Sequence, residues 1–144
     1  MKNKKYQKKF KFLEHTADVK FQAFGNKIEK VFENSSLALK ETICGKIKIK
    51  ENKERIIKVK GKDFESLLYN FLEELLLFLD GENFFMTDVK KIKIDKKLFK
   101  LEAEIAGGDA KNYSIHLDVK AVTYNEMFVK KIKDKWTAQV VLDV

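Results

Sequence analysis

Asp63-Phe64-Glu65-Ser66-Leu67-Leu68-Tyr69-Asn70-Phe71-Leu72-Glu73-Glu74-Leu75-Leu76-Leu77-Phe78-Leu79-Asp80-Gly81 is the stretch on which the reading of this chain turns. Phe64, Leu67, Leu68, Phe71, Leu72, Leu75, Leu76 and Leu79 recur at helical spacing, giving one wide apolar face that must be covered by another layer. Asp63 stands where an N-cap acceptor belongs, and Asp80-Gly81 where the helix closes. The polar side carries Glu65, Glu73 and Glu74, the wrong sign for an anionic lipid surface, so the pattern predicts a core helix.

Working outward, the period falls to two on both sides. Upstream, Phe10 to Leu13 and Val19 to Phe24 read as strands around a Glu14 to Asp18 loop, with Val19, Phe21 and Ala23 alternating against Lys20 and Gln22. From Lys27 the spacing turns helical: Ile28, Val31, Phe32, Ser35, Leu39, Thr42 and Ile43 share a face, with Asn26 as the expected cap. Strands are then predicted over Lys46 to Lys50 and Arg55 to Lys60, and after the long helix over Val89 to Ile94, Leu98 to Ala106, Ile115 to Tyr124, Met127 to Ile132 and Trp136 to Asp143. Two amphipathic helices among hairpin-spaced strands predict an α+β single domain, with both helices packed on a mainly antiparallel β-sheet. We expect the folded domain over residues 10–144 and a basic flexible leader over residues 1–9.

Composition narrows the classes of function. At 144 residues, 44% hydrophobic and 36% charged, the chain suits one domain with a real core. A single cysteine, Cys44, excludes an intramolecular disulfide, and its apolar neighbours Thr42-Ile43 predict a buried, inert thiol. The Lys-rich start has no apolar signal region and no run approaches the roughly 20 residues of a membrane span, so we expect a cytoplasmic protein without membrane contact. The net charge of +8 invites a nucleic-acid reading, but Arg55 is the only arginine, so bidentate forks for guanine or phosphate are nearly absent. The lysines are spread along the chain and read mostly as solvated surface. The leader is the exception: five lysines within Met1 to Lys9 suit a weak, sequence-independent tRNA contact.

Chemistry is suggested at the two ends of the chain. Asp18 and Asp143 each sit beside apolar strand residues, where an uncompensated carboxylate costs solvation free energy. Two such positions point to one assembled site. Together with the terminal carboxylate of Val144 they are oxygen-only donors, suited to calcium, magnesium or manganese and not to zinc. The plainer alternative is two polar residues at strand ends. His15 reads as a ligand, a proton-transfer group or a loop histidine bonded to backbone, and His116 as an exposed strand residue. Lys120 reads as an anion-binding group or as one surface lysine among many; strand alternation lets it line one surface with Asp143 if their strands are neighbours. Gly107-Gly108-Asp109 opens no helix, so a turn or bulge is expected in place of a phosphate loop. No serine or cysteine nucleophile pattern is present, and no general base stands beside the acidic pair, which disfavours a stand-alone hydrolase.

Phe12-Leu13-Glu14-His15-Thr16-Ala17-Asp18-Val19, Leu67-Leu68-Tyr69, Val119-Lys120-Ala121-Val122-Thr123-Tyr124 and the terminal Trp136 to Val144 resemble the archease family, in the family's order and across most of the chain from Phe10. The resemblance implies a non-catalytic accessory protein of the RtcB-type RNA ligase, which joins RNA ends in tRNA splicing and is guanylylated with GTP and metal. It implies a divalent-cation site at Asp18, Asp143 and Val144, with His15 and Lys120 near it in activation or partner binding. It leaves a chaperone-like role toward a tRNA methyltransferase, or a basic RNA-binding module, as alternatives. Two positions depart from the family pattern: Asn125 replaces the usual histidine after Thr-Tyr, and Lys20 replaces a usual glycine.

Overall fold

Both predicted helices form and both are buried on the predicted face. In the computed structural model, which describes residues 8–114 and 118–144, helix α1 spans Ile28–Cys44 and α2 spans Phe64–Glu82. Asp63 caps α2 as expected: its carboxylate accepts from Ser66 N, and the Ser66 hydroxyl returns to the Asp63 backbone. The helix runs one residue past Gly81 and closes on Asn83, which takes the left-handed conformation. At α1 the cap is Lys27 and not Asn26, and no side chain caps the helix.

Seven strands in the described residues form two antiparallel sheets. They are β1 Phe10–Leu13, β2 Val19–Gly25, β3 Lys53–Lys60, β4 Phe84–Asp95, β5 Lys100–Asp109, β6 Ala121–Ile132 and β7 Lys135–Asp143. The four-stranded sheet has the order β1-β2-β7-β6, and the three-stranded sheet the order β3-β5-β4. The α+β expectation holds. Helix α1 packs on β2, β7 and β4, and α2 on β6, β3 and β4, so the helices join the two sheets through one continuous core. That core includes Phe21, Phe32, Phe71, Leu101, Ala103, Ile105, Ala138 and Val140. No helix of the described residues is long and apolar enough to cross a membrane.

Several strand limits differ from the pattern reading. Lys46 to Lys50 makes no ladder: it crosses over β5 at Gly108, and Lys50 N donates to the Tyr113 hydroxyl at 3.0 Å. Leu98 and Phe99 belong to a turn, with Phe99 at φ 53 and the Asp95 carboxylate accepting from Lys97 N and Leu98 N. Those two hydrogen bonds hold the Asp95 carboxyl below its ordinary range. Gly107 and Gly108 are not a turn; both lie inside β5 where backbone passes too close for a side chain, and the expected irregularity is a shift of the β4–β5 register beside Gly107, between Met86 and Asp88. The predicted strands Ile115 to Tyr124 and Met127 to Ile132 are replaced by the single strand β6, with Ile115, His116 and Leu117 outside the described residues.

The polar side of α2 does more than face solvent. Strand β6 is an edge of its sheet, and two of its backbone N–H groups are taken by the helix: Val122 N donates to Glu73 at 2.8 Å and Val129 N to Glu65 at 2.9 Å. Between them Tyr69 stacks on Tyr124, with ring centroids 4.3 Å apart. The helix thereby covers an edge that would otherwise be open to strand pairing.

Candidate functional site

The acidic ends meet because β7 lies between β2 and β6. Val19 pairs with Leu142, so Asp18 and Asp143 are the next cross-strand neighbours beyond the β2–β7 ladder. Ala121 pairs with Asp143, and Lys120 N donates to Asp143 O at 2.8 Å. Three sequence-distant segments, Glu14 to Asp18, Lys120 to Ala121 and Asp143 to Val144, therefore converge at one end of the four-stranded sheet. Asp18 and Val144 are half-buried, while Asp143 and Lys120 are exposed.

His15 is brought to the same place from the β1–β2 loop. Its Nε2 lies 3.0 Å from Glu126 Oε2, which makes Nε2 the N–H donor, and its Nδ1 faces Asp18 Oδ2 at 3.6 Å. The Nδ1 atom is buried and has no hydrogen-bond partner in the described residues. The loop carries backbone strain beside it: Ala17 has φ 65, a left-handed conformation unfavourable for a residue with a Cβ. Between this loop and the last turn of α1 lies a groove of about 960 Å³, bordered by His15, Asp18, Phe12, Glu41, Thr42 and Lys46.

Glu126 was not singled out from the sequence. It lies in a bulge of β6 where Tyr124 to Met127 stand opposite Val140 alone, and it has φ 54. The bulge is pinned from beneath. Gln139 Nε2 donates to Glu126 O at 2.7 Å, and Gln22 Nε2 donates to Gln139 Oε1 at 2.9 Å. The Glu126 carboxylate then accepts from Lys20 Nζ at 2.8 Å as well as from His15. Lys20, together with the His15 contact, holds the Glu126 carboxyl below its ordinary range. A local signal did exist, since Gln139 is a polar residue set between the apolar Ala138 and Val140-Val141-Leu142.

A carboxyl depressed in the folded state contributes stability above its unfolded pKa and loses it as pH falls through the lower folded value. The Lys20–Glu126–His15 cluster is therefore expected to persist at neutral pH and break under acid. Comparing urea midpoints at about pH 6 and about pH 3 should show a smaller acid loss in Glu126→Gln than in the parent chain.

The donor set at the converging ends fits a hard cation in kind: two carboxylate side chains and main-chain oxygen, with a histidine nitrogen beside them. Among the described residues no three His, Cys, Asp or Glu side chains form a complete ligand group. Cys44 takes no part; it is buried, and burial pushes its thiol upward, away from the reactive thiolate.

Residues 10–144 match the family described as Archease protein family (MTH1598/TM1083). The chain is 38% identical over 141 residues to the protein archease of Pyrococcus abyssi, covering 95% of this chain and 99% of that one. It is 40% identical over 136 residues to that of Pyrococcus furiosus, covering 91% and 95%. The solution structure of Methanobacterium thermoautotrophicum protein 1598 superposes with a TM-score of 0.76 at 33% identity, covering 94% of this chain and 99% of that chain. The crystal structure of a Thermotoga maritima archease, described as a possible chaperone, shares the fold with a TM-score of 0.65 at 20% identity, covering 92% and 94%.

Proposed function

The chain belongs to the archease family, and from that premise we propose that it is a cytoplasmic, non-enzymatic accessory protein that activates an RtcB-type RNA ligase in tRNA splicing. The working site is the acidic end of the four-stranded sheet. The observation that carries the reading is the convergence of Asp18, Asp143 and Val144 from opposite ends of the chain, beside Lys120. Asp18, Asp143 and the Val144 carboxylate would hold a divalent cation: calcium, magnesium or manganese. Bound there, the cation supplies positive charge against phosphate oxygens. His15, held by Glu126, faces the Asp18 carboxylate across 3.6 Å. Lys120 places an ammonium at the rim, suited to an anionic group of the ligase or of its GTP. The ligase itself consumes the GTP; this chain promotes its guanylylation and multiple turnover.

The test is multiple-turnover ligation of RNA halves by the cognate ligase with GTP and divalent metal, with and without this protein. Stimulation is expected from the parent chain and should fall to the level of the ligase alone with Asp18→Ala or Asp143→Ala, both verified as folded by circular dichroism. Full stimulation by both variants would remove the acidic end from the mechanism. Calcium binding by calorimetry gives a readout independent of the ligase, and both substitutions should weaken it. Absence of stimulation by the parent chain would favour the chaperone-like alternative toward a tRNA methyltransferase.

A further inference from the structure

The end of the four-stranded sheet remote from Asp18 and Asp143 has the opposite charge. The pair Val19–Leu142 lies at one end of the β2–β7 ladder and Gly25–Trp136 at the other, about 20 Å away at strand rise. There, on the face turned away from the helices, a groove of about 560 Å³ is lined by Lys8, Lys11, Lys133 and Lys135 around the half-buried ring of Phe24. The Lys11 and Lys135 ammoniums lie 5.9 and 6.0 Å from that ring's centroid. A second half-buried ring follows on the same face, Phe128, with Lys130 Nζ 4.4 Å from its centroid. Register places the two rings on adjacent rows: Phe24 opposite Thr137 and Lys130, and Gln22 opposite Gln139 and Phe128.

This arrangement is not what lysine-rich composition alone produces. The outer face of the three-stranded sheet is just as lysine-rich, yet there every cross-strand row carries a carboxylate: Lys58 and Lys93 flank Glu102, Ile56 and Lys91 flank Glu104, and Lys60 and Asp95 flank Lys100. At the Phe24 groove the described ion pairs include none of Lys8, Lys11, Lys130, Lys133 or Lys135; Asp134, in the β6–β7 turn, is their acidic neighbour in the chain. Ammoniums outside the described ion pairs, spaced around recessed aromatic rings, match a ligand that carries repeated phosphates and flat apolar rings. A duplex hides its base faces, and a bilayer needs a wider protruding apolar surface than Ile132, the one exposed large apolar side chain lining this groove, supplies. Lysine without arginine offers point charges and no guanine fork, so recognition would be indifferent to sequence.

We propose that the open face of the four-stranded sheet, at the end opposite the acidic site, binds single-stranded nucleic acid. Its phosphates lie on Lys8, Lys11, Lys130, Lys133 and Lys135, and its bases stack on Phe24 and Phe128. The proposal does not depend on the ligase reading.

Fluorescence anisotropy of the full chain with labelled uridine RNA of about 15 nucleotides, in about 50 mM salt, tests it. Lys11→Glu with Lys135→Glu should weaken binding by about tenfold or more, and Phe24→Leu by about fivefold or more, with unchanged circular dichroism. Thymidine DNA of the same length should bind within about threefold, since no contact in the groove addresses a 2′-hydroxyl. The proposal is overturned if Lys58→Glu with Lys93→Glu weakens binding as much as the groove pair does. It fails equally if a duplex binds as tightly as the single strand, or if Phe24→Leu leaves affinity unchanged. Loss of binding on changing Lys2, Lys4 and Lys5 to serine, with the groove variants inert, would assign the contact to the leader. Capture by phosphatidylserine vesicles without oligonucleotide binding would assign the face to membranes and end the proposal.

Discussion

Gly107→Ala should cost about 3 kcal/mol or more, at the upper end of what overpacking a well-filled site does. A Cβ at this position would overlap the carbonyl oxygen of Phe85 and sit 2.8 Å from its carbonyl carbon and 2.9 Å from the Phe84 ring. Backbone on that side cannot rotate out of the way as a flexible side chain would. Nor can β5 retreat: it is the central strand, pairing Gly107 with Met86 on one side and with Lys53 on the other, and the Gly107 carbonyl also accepts from Asn52 N at 2.9 Å. Relief must come from breaking part of a ladder. The urea midpoint should fall sharply, and amide exchange should accelerate first along the β4–β5 pairing. A midpoint within experimental scatter of the parent would show that β4 can shift to admit the methyl group.

Phe71→Ala is expected to lose about 3–5 kcal/mol, the usual range for deleting a buried aromatic side chain. The ring is wholly buried in α2 and faces Phe32 of α1 at 6.2 Å between centroids, so its removal leaves a void between the helices that join the two sheets. That is a large share of the stability of an ordinary domain, typically about 5–15 kcal/mol. The contrast is Leu77, in the same helix but 60% exposed, where replacement by alanine should stay within about 0.5 kcal/mol. Chemical denaturation of both variants checks the pair of values. Similar losses at both positions would mean that α2 is stabilised by helix propensity more than by its packed face.

How much of this was legible beforehand depends on the distance over which each feature is decided. The α2 helix was legible because burial, spacing and the Asp63 cap are local and agree with one another. Alternation along Leu98 to Ala106 predicts Phe99, Leu101, Ala103 and Ile105 inward; the last three are the buried face of β5, while Phe99 falls in the turn before it. Lys46 to Lys50 misled for the same reason: alternating Lys and Ile has the strand period, but pairing also needs a partner in register, and this segment crosses β5 where a strand would run beside it. The turn at Phe99 and the bulge around Glu126 were hidden because each depends on a residue other than glycine taking a positive φ, which nothing in the local sequence demands.

The candidate site divides along the same line. Asp18, Asp143, His15 and Lys120 were marked by residue type, by their place beside apolar strands and by the family motifs. Their meeting at one end of a sheet follows from the order β1-β2-β7-β6, and Glu126 reaches His15 and Lys20 through the β6 bulge. The sequence by itself determined the α+β class, the buried faces and the family, because periodicity and motif record what each segment buries. The tertiary structure alone decided which strands are neighbours, where the β6 register slips, and that lysines gather around aromatic rings at one sheet end while Lys58 and Lys93 of the other sheet flank Glu102. Pairing between distant strands is chosen by the packing of the whole core, and no local pattern encodes it.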